Sequence, residues 1–529
     1  MRIGTSVFRG AIKAIEESRL GDEYAAEAVN CDLRTGALVP LKGKSDLWSV
    51  PGAAEKIYLW DDKLACFTQK DISVLPHPNN DNLVWTGSDY GIYPRQASKE
   101  QFFGTGSAGL PVESSRFGLD EPPSAPMVHV NGEATGDLIR STSYRFSAVA
   151  VTGEESNLSL PSAVVDVYEG QTAELYRLWP TAEIPEFVDK IRIYRAETDS
   201  YGSPSWAFVT ELPAATVKYS DIVEETEEVA QSDGWLPPEN FEGLVDIGNG
   251  IVAGWKGRDV CLSEVGVPTA FPEKYRLRTD ATIRGIGMTG AFAIVLTDKE
   301  PSILSASTPE SATMASLQFG ASCLSARSIC STKYGVVFAS HEGLMQITSG
   351  GVPSILTEGI LSREQWLAYG PENMVCVPQD DKIYIFRYGQ TVALLYDMRR
   401  SDFTEIELPF AVSDAHVDSA GGRILLLNSA DSVGALGEGE NLQFRWKSGL
   451  YLFPNTKVFS AARILGEQSV TSPAVLTIWR DGLPFYSKTV TDQRPFALPP
   501  GLYLSLQFEI SGTTKIVVVQ IASDMSELK

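Results

Sequence analysis

The chain has no run of 18 or more apolar residues, which excludes a membrane-crossing helix. Met1-Arg2-Ile3-Gly4-Thr5 lacks the apolar core of a secretory signal, and Glu16, Glu17 and Arg19 soon bring charge, so synthesis in a cytoplasm is expected. The six cysteines (Cys31, Cys66, Cys261, Cys323, Cys330 and Cys376) form no Cys-x-x-Cys pair, which removes the usual zinc sites. They lie far apart, several inside apolar strand patterns, so buried free thiols are expected rather than disulfides. The four histidines, His77, His129, His341 and His416, share no metal-ligand spacing, and neither a metal nor a cofactor is expected. Gly-x-Ser-x-Gly, His-Glu-x-x-His and Walker motifs are missing, and with them the anchors of hydrolase and nucleotide chemistry. Basic residues are scarce: 44 Lys and Arg face 67 Asp and Glu, a formal net charge of −23. That balance opposes gripping nucleic acid by its phosphates. It suits either plain solubility or a surface that does not stick to DNA passing close by. Helical periodicity is nearly absent, with two exceptions at 22–28 and 362–367. The second opens on the capping box Ser362-Arg363-Glu364-Gln365.

What the chain does contain is strand. Its 529 residues predict two to four domains, and 45 glycines with 30 prolines suit short strands and tight turns. A hairpin unit recurs. Lys56 to Trp60 turns at Asp61-Asp62 into Leu64 to Phe67, and Leu244 to Ile247 turns at Gly248-Asn249-Gly250 into Ile251 to Trp255. Further copies turn at Thr289-Gly290 into Ala291 to Leu296, at Lys333-Tyr334-Gly335, at Gln379-Asp380-Asp381 and at Gly421-Gly422. From the second copy the turns recur about every 41 to 46 residues, the period of a four-stranded propeller blade.

The period breaks after Pro122-Pro123-Ser124-Ala125-Pro126, a stiff linker. The alternation in Ser143 to Val151 and the strands Lys190 to Arg195 and Trp206 to Val209 fit a fibronectin-type β-sandwich inserted in a propeller loop. It exits through the acidic run Glu224-Glu225-Thr226-Glu227-Glu228, read as a solvated linker. Ala474 to Trp479, a turn at Arg480-Asp481-Gly482, and strands at Leu502 to Ile510 and Lys515 to Ile521 predict a C-terminal β-sandwich. The expected fold class is all-β, a β-propeller-like body with these two sandwiches. Its expected division is 1–50 (docking segment and first strands), 51–121 (propeller, first part), 122–222 (insert), 223–454 (remaining blades) and 455–529 (C-terminal sandwich).

Sugar cleavage would need two carboxylates flanking a pocket. Asp61-Asp62 and Asp380-Asp381 are the candidates, but both sit at hairpin turns, where aspartate bonds its own backbone. The aspartate-box repeat Ser-x-Asp-x-Gly-x-Thr-Trp is absent. Arg399 and Arg400 in Tyr396-Asp397-Met398-Arg399-Arg400 fit the end of a blade strand, or could meet a partner's carboxylates. Tyr194, Tyr201 and Trp206 could form a carbohydrate or protein contact, with core packing the better reading for Tyr194 and Trp206. No catalytic residue is nominated.

Several segments in order resemble a family of phage virion proteins related in role to the tail nozzle, also called tail tubular protein B. They are Phe8-Arg9-Gly10, Asn30-Cys31-Asp32-Leu33 and Gly36-x-Leu38-x-Pro40-Leu41, then Gly153-Glu154-Glu155-Ser156 and Arg192-Ile193-Tyr194-Arg195. Asn249 to Gly254, Cys261 to Glu264, Phe271 to Tyr275, Leu356 to Gly359 and Arg363 to Trp366 follow. The family's usual proline soon after Phe-Arg-Gly is missing. The resemblance implies a non-enzymatic virion protein, a subunit of a six-fold ring at the distal tail through which viral DNA leaves. Implied partners are copies of itself, adaptor or portal-proximal tail proteins, tail fibres, DNA in transit without sequence-specific binding, and the host outer surface. The opening segment is then the docking element, with Phe8, Arg9, Asn30 and Asp32 as its candidate contact residues. The competing readings are a host-surface adhesin that uses the insert as its reader, and a glycan depolymerase.

Overall fold

Asp61, Asp380 and Asp481 adopt positive φ, between 52° and 54°, as tight two-residue hairpin turns require, and Asn249 does so at 56° in the longer turn Gly248-Asn249-Gly250. Around such turns the strands pair into antiparallel meanders. The computed structural model describes every residue except 177, 180–183, 199–203, 227–228, 291, 419–421 and 529. Tyr201, Glu227, Glu228, Ala291 and Gly421, singled out from the sequence, lie outside the described residues.

Seven sheets build the body among the described residues, the sixth and seventh of them joined through one long strand. Sheet 1 holds Lys56–Trp60 and Lys63–Phe67, with Ala108–Gly109 added in parallel. Sheet 2 spans Val74–Pro76 to Ser115–Arg116, sheet 3 Gly243–Asp246 to Arg276–Arg278, and sheet 4 Ile283–Met288 to Thr313–Ser316. Sheet 5 spans Cys330–Thr332 to Pro353–Ile355, and sheet 6 begins at Met374–Gln379. The long strand Asp402–Asp418 closes sheet 6 with its first half and opens sheet 7 with its second. Sheet 7 continues through Arg423–Asn428 and Ser432–Asn441, and its last strand is Lys42–Ser49, from the other end of the chain.

Each sheet shares an apolar layer with the next. Phe67 meets Trp85 between sheets 1 and 2, Val84 shares a core with Phe241, Val260 with Val295, and Leu296 with Phe338. Val337 and Ile385 belong to one core, Phe386 and Leu426 to another, and Leu427 shares a third with Cys66 of sheet 1, which closes the circle. The body is therefore a closed propeller. Radial repetition leaves only short edges, and the N-terminal strand Lys42–Ser49 covers the edge of Ser432–Asn441.

The insert builds its own core around Tyr144, Phe146, Leu175, Ile191 and Ile193. The outer edge of its strand Tyr144–Ala150 is sealed by three serines spaced three apart. Ser156, Ser159 and Ser162 donate their backbone N–H to the carbonyls of Ala148, Phe146 and Tyr144. Their hydroxyl oxygens accept from the N–H groups of the same three residues at 2.9–3.1 Å. A three-residue period is that of a polyproline II chain, not of a strand.

The C-terminal sandwich starts with Phe444–Ser448, earlier than the expected boundary at 455. It is continuous with the propeller, because Ala25–Val29 bridges Asp402–Asp418 to Phe444–Ser448 in one sheet. This corrects the helix expected at 22–28: between two strands, the extended form satisfies the backbone of Ala25–Val29 that a helix there would leave unpaired. The helix Arg363–Ala368 with its Ser362 capping box is present. A second capped helix, Lys99–Phe103, is too short to show helical periodicity in the sequence.

Candidate functional site

The four candidate docking residues are all engaged within the chain. Phe8 is fully buried and stands edge-on to Trp446 at 5.0 Å, and the Trp446 indole N–H donates to the Arg9 carbonyl at 3.0 Å. Arg9 donates to Asp402 at 3.0 Å and to the carbonyl of Arg400, while its guanidinium lies over the Tyr24 ring. Asn30, buried at a φ of 55°, donates to the Gln443 carbonyl at 3.0 Å and accepts from the Glu407 N–H at 2.9 Å. Burial disfavours an ionised Asp32, but Lys382 at 3.2 Å and Arg34 hold its carboxyl below the usual range. The segment thus fastens the propeller to the C-terminal sandwich.

The two motif segments of the insert also meet. Glu155 accepts from Arg192 at 2.7 Å, from the Tyr194 hydroxyl at 2.7 Å, and from Ser147 and Ser232. Its neighbour Glu154 points the other way, accepting from Gln96 of sheet 2 at 2.8 Å. Burial pushes the Glu154 carboxyl above its ordinary range. Beside this junction lies a cavity of about 530 Å³ between the insert and sheets 2 and 3. Tyr194 is buried in this network, and Trp206 carries the Arg145 guanidinium over its ring.

A larger cavity of about 1030 Å³ opens at one end of the propeller axis. Its acids, Glu55, Asp71, Glu242 and Glu372, are matched by Lys56, Lys70, Arg284 and Arg327. Arg327 leaves sheet 5 to pair with Asp414 of sheet 7 at 2.6 Å, and Asp414 also accepts from the Ile57 N–H of sheet 1. Both side chains are buried, so this pair ties sheets 5, 7 and 1 together. The sequence carried no local signal for it, since its members lie 87 residues apart.

The remaining candidates are scattered. Burial pushes His77 and His416 down to about 4, and the two belong to different sheets. The six cysteines are buried and unpaired, and burial drives Cys66, Cys323 and Cys330 up to about 12. Asp381 pairs with Lys333 at 2.6 Å and Arg399 at 2.7 Å, while Arg400 pairs with Asp402 at 3.1 Å. No group of His, Cys, Asp or Glu able to hold a metal ion occurs among the described residues.

Charge is partitioned along the chain, a feature that counting by segment reveals. Residues 122–242 contain 21 acidic and 7 basic residues, a net of −14. Residues 444–529 contain 6 acidic and 9 basic residues, a net of +3.

No family model matches the chain, and no curated protein is significantly similar to it. Similar solved structures include virginiamycin B lyase from Staphylococcus aureus, at 8% identity over 59% of this chain and 98% of that one, TM-score 0.28. The computationally designed Ika8 protein is 9% identical over 82% of this chain and 98% of its own, TM-score 0.30. BBS1N, solved with ARL6DN, is 8% identical over 75% and 97%, TM-score 0.31. At these scores the likeness carries no argument, and the propeller rests on the strand pairing of this chain itself.

Proposed function

We propose that the chain is a non-enzymatic structural subunit of a phage tail, one member of a ring-shaped nozzle through which viral DNA is ejected. The observation that carries this reading is what the motif residues do. Phe8, Arg9, Asn30 and Asp32 lock the N-terminal segment against the propeller and the C-terminal sandwich, and Glu155 locks Arg192 to Tyr194. Residues devoted to fastening suit a part that bears load. The buried Arg327–Asp414 pair ties sheet 5 to sheet 7 within one chain, and in this reading the DNA path lies between subunits rather than through one propeller. Acidic walls there would repel the phosphates and leave few sticky sites. Partners in this reading are copies of the same chain, adaptor proteins and tail fibres.

Electron micrographs of the purified protein test it: closed rings with a lumen are expected, six-fold in this reading. A monomer that instead coats host cells would favour the adhesin. Release of reducing sugar from host polysaccharide would favour the depolymerase.

A further inference from the structure

The insert leaves the propeller between sheets 2 and 3, where Gly118 lies against Pro237 and Pro238, while the C-terminal sandwich extends sheet 6. In a circle of seven these positions are on opposite sides. No hydrogen bond or ion pair among the described residues joins the two domains. Each nevertheless presents an apolar patch with a rim of its own charge. On the insert, Ile139 pairs directly with Tyr168 on an outward face, the two 54% and 38% exposed, and Leu138, 76% exposed, stands at the entry of the same strand opposite Glu169. Exposed Asp137, Asp166 and Glu169 surround them, none in an ion pair among the described residues.

On the C-terminal sandwich, Leu502 and Leu504 point outward on one strand at 62% and 56% exposure. Leu452 lies on the adjoining strand, and the turn at Asp481, which accepts from the Leu504 N–H at 3.1 Å, brings exposed Leu483 alongside. Lys457 and Arg480 flank this patch, and no ion pair engages either among the described residues. Exposed patches of this kind mark interaction surfaces, and opposite charge at their rims fixes the partner and the register.

We propose that the acidic insert of one copy docks on the C-terminal sandwich of the next, head to tail, an interface that rests on the ring reading above. A contact between two different faces is heterologous, and it closes into a ring when the rotation permits.

The test is mass photometry of the full chain and two double variants, Leu138→Lys with Ile139→Lys and Leu502→Glu with Leu504→Glu. Each variant alone should lose assembly, its apparent Kd rising at least about tenfold, or about 1.4 kcal/mol. An equimolar mixture should stop at the dimer, because each variant retains one working face. A variant that assembles like the parent overturns the proposal, as does a mixture of folded variants that stays monomeric. Should a variant fail to fold, the unmodified chain supplies a second arm. Raising salt from about 50 to about 500 mM should shift it toward monomer, and assembly unchanged or strengthened by salt overturns the proposal. A parent that assembles while ignoring both variants removes this face pairing and leaves the ring standing. A parent that stays monomeric removes both.

Discussion

Two β-sandwiches flank the same propeller, and they are attached in different ways. The C-terminal one is woven in: Ala25–Val29 carries its sheet into sheet 6, Arg2–Thr5 pairs with Ile516–Ala522, and Phe8 sits in a core shared with Trp446 and Phe508. The insert is set on: it owns its core and touches sheet 2 through polar contacts such as Glu154 to Gln96. Shared apolar core and shared backbone pairing make one cooperative unit, whereas a polar seat joins two units that can part.

The sharpest way to break this comparison is deletion. Removing residues 444–529 should leave an insoluble or molten chain. Replacing residues 121–234 by a short glycine linker should leave a propeller that still melts cooperatively, because the ends of the insert meet at Gly118 and Pro238. Equal tolerance of both deletions, read by circular dichroism and calorimetry, would erase the distinction. Next in size, Phe8→Ala should cost about 3–5 kcal/mol through the cavity beside Trp446. It should lower the transition of the propeller and C-terminal sandwich without moving that of the insert.

A smaller effect is expected at Glu154. Burial raises its pKa in the docked form, so that form binds the proton more tightly than the free insert does. Docking should therefore be firmest at low pH and weaken as pH rises from the ordinary glutamate range through the raised value. Protease cleavage at the junction should follow that profile, and Glu154→Gln should flatten it. Smallest of all, Asp380→Asn should be nearly neutral, because asparagine tolerates the φ of 54°, whereas Asp380→Val should cost about 1–2 kcal/mol in chemical denaturation.

The parts of the fold that were legible are those whose signal is local. Hairpins such as Lys56–Phe67 and Met374–Arg387 announce themselves by apolar alternation around an Asp turn. Lys42–Ser49 does not, because an outer strand with one face in water reads as a polar segment, and its partner Ser432–Asn441 lies nearly 400 residues away. Ala25–Val29 was misread as helical because alanine and glutamate favour helix until two neighbouring strands claim the backbone. Of the candidate contact residues, sequence order pointed to Phe8, Arg9, Asn30 and Asp32. Their inward partners, Trp446, Asp402 and Gln443, required the fold. The opposed charges of the insert and the C-terminal sandwich were in the sequence throughout, but only the circular order of the sheets places them on opposite sides.

The pairing of the first strands with the last sets a timetable. Arg2–Thr5, Ala25–Val29 and Lys42–Ser49 leave the ribosome before their partners, which begin at Asp402 and end at Ala522. At about 5–20 residues per second, the opening segment waits roughly 20–100 s before its seats exist. During that interval Phe8 and the Ala-rich strand behind it are unpaired, and sheets 1 to 5 stand as an open arc. Each nascent chain thus passes through a stage in which a neighbour's opening segment could occupy the gap before its own. How fast copies are made, and how far apart they are held, then becomes part of how the propeller closes.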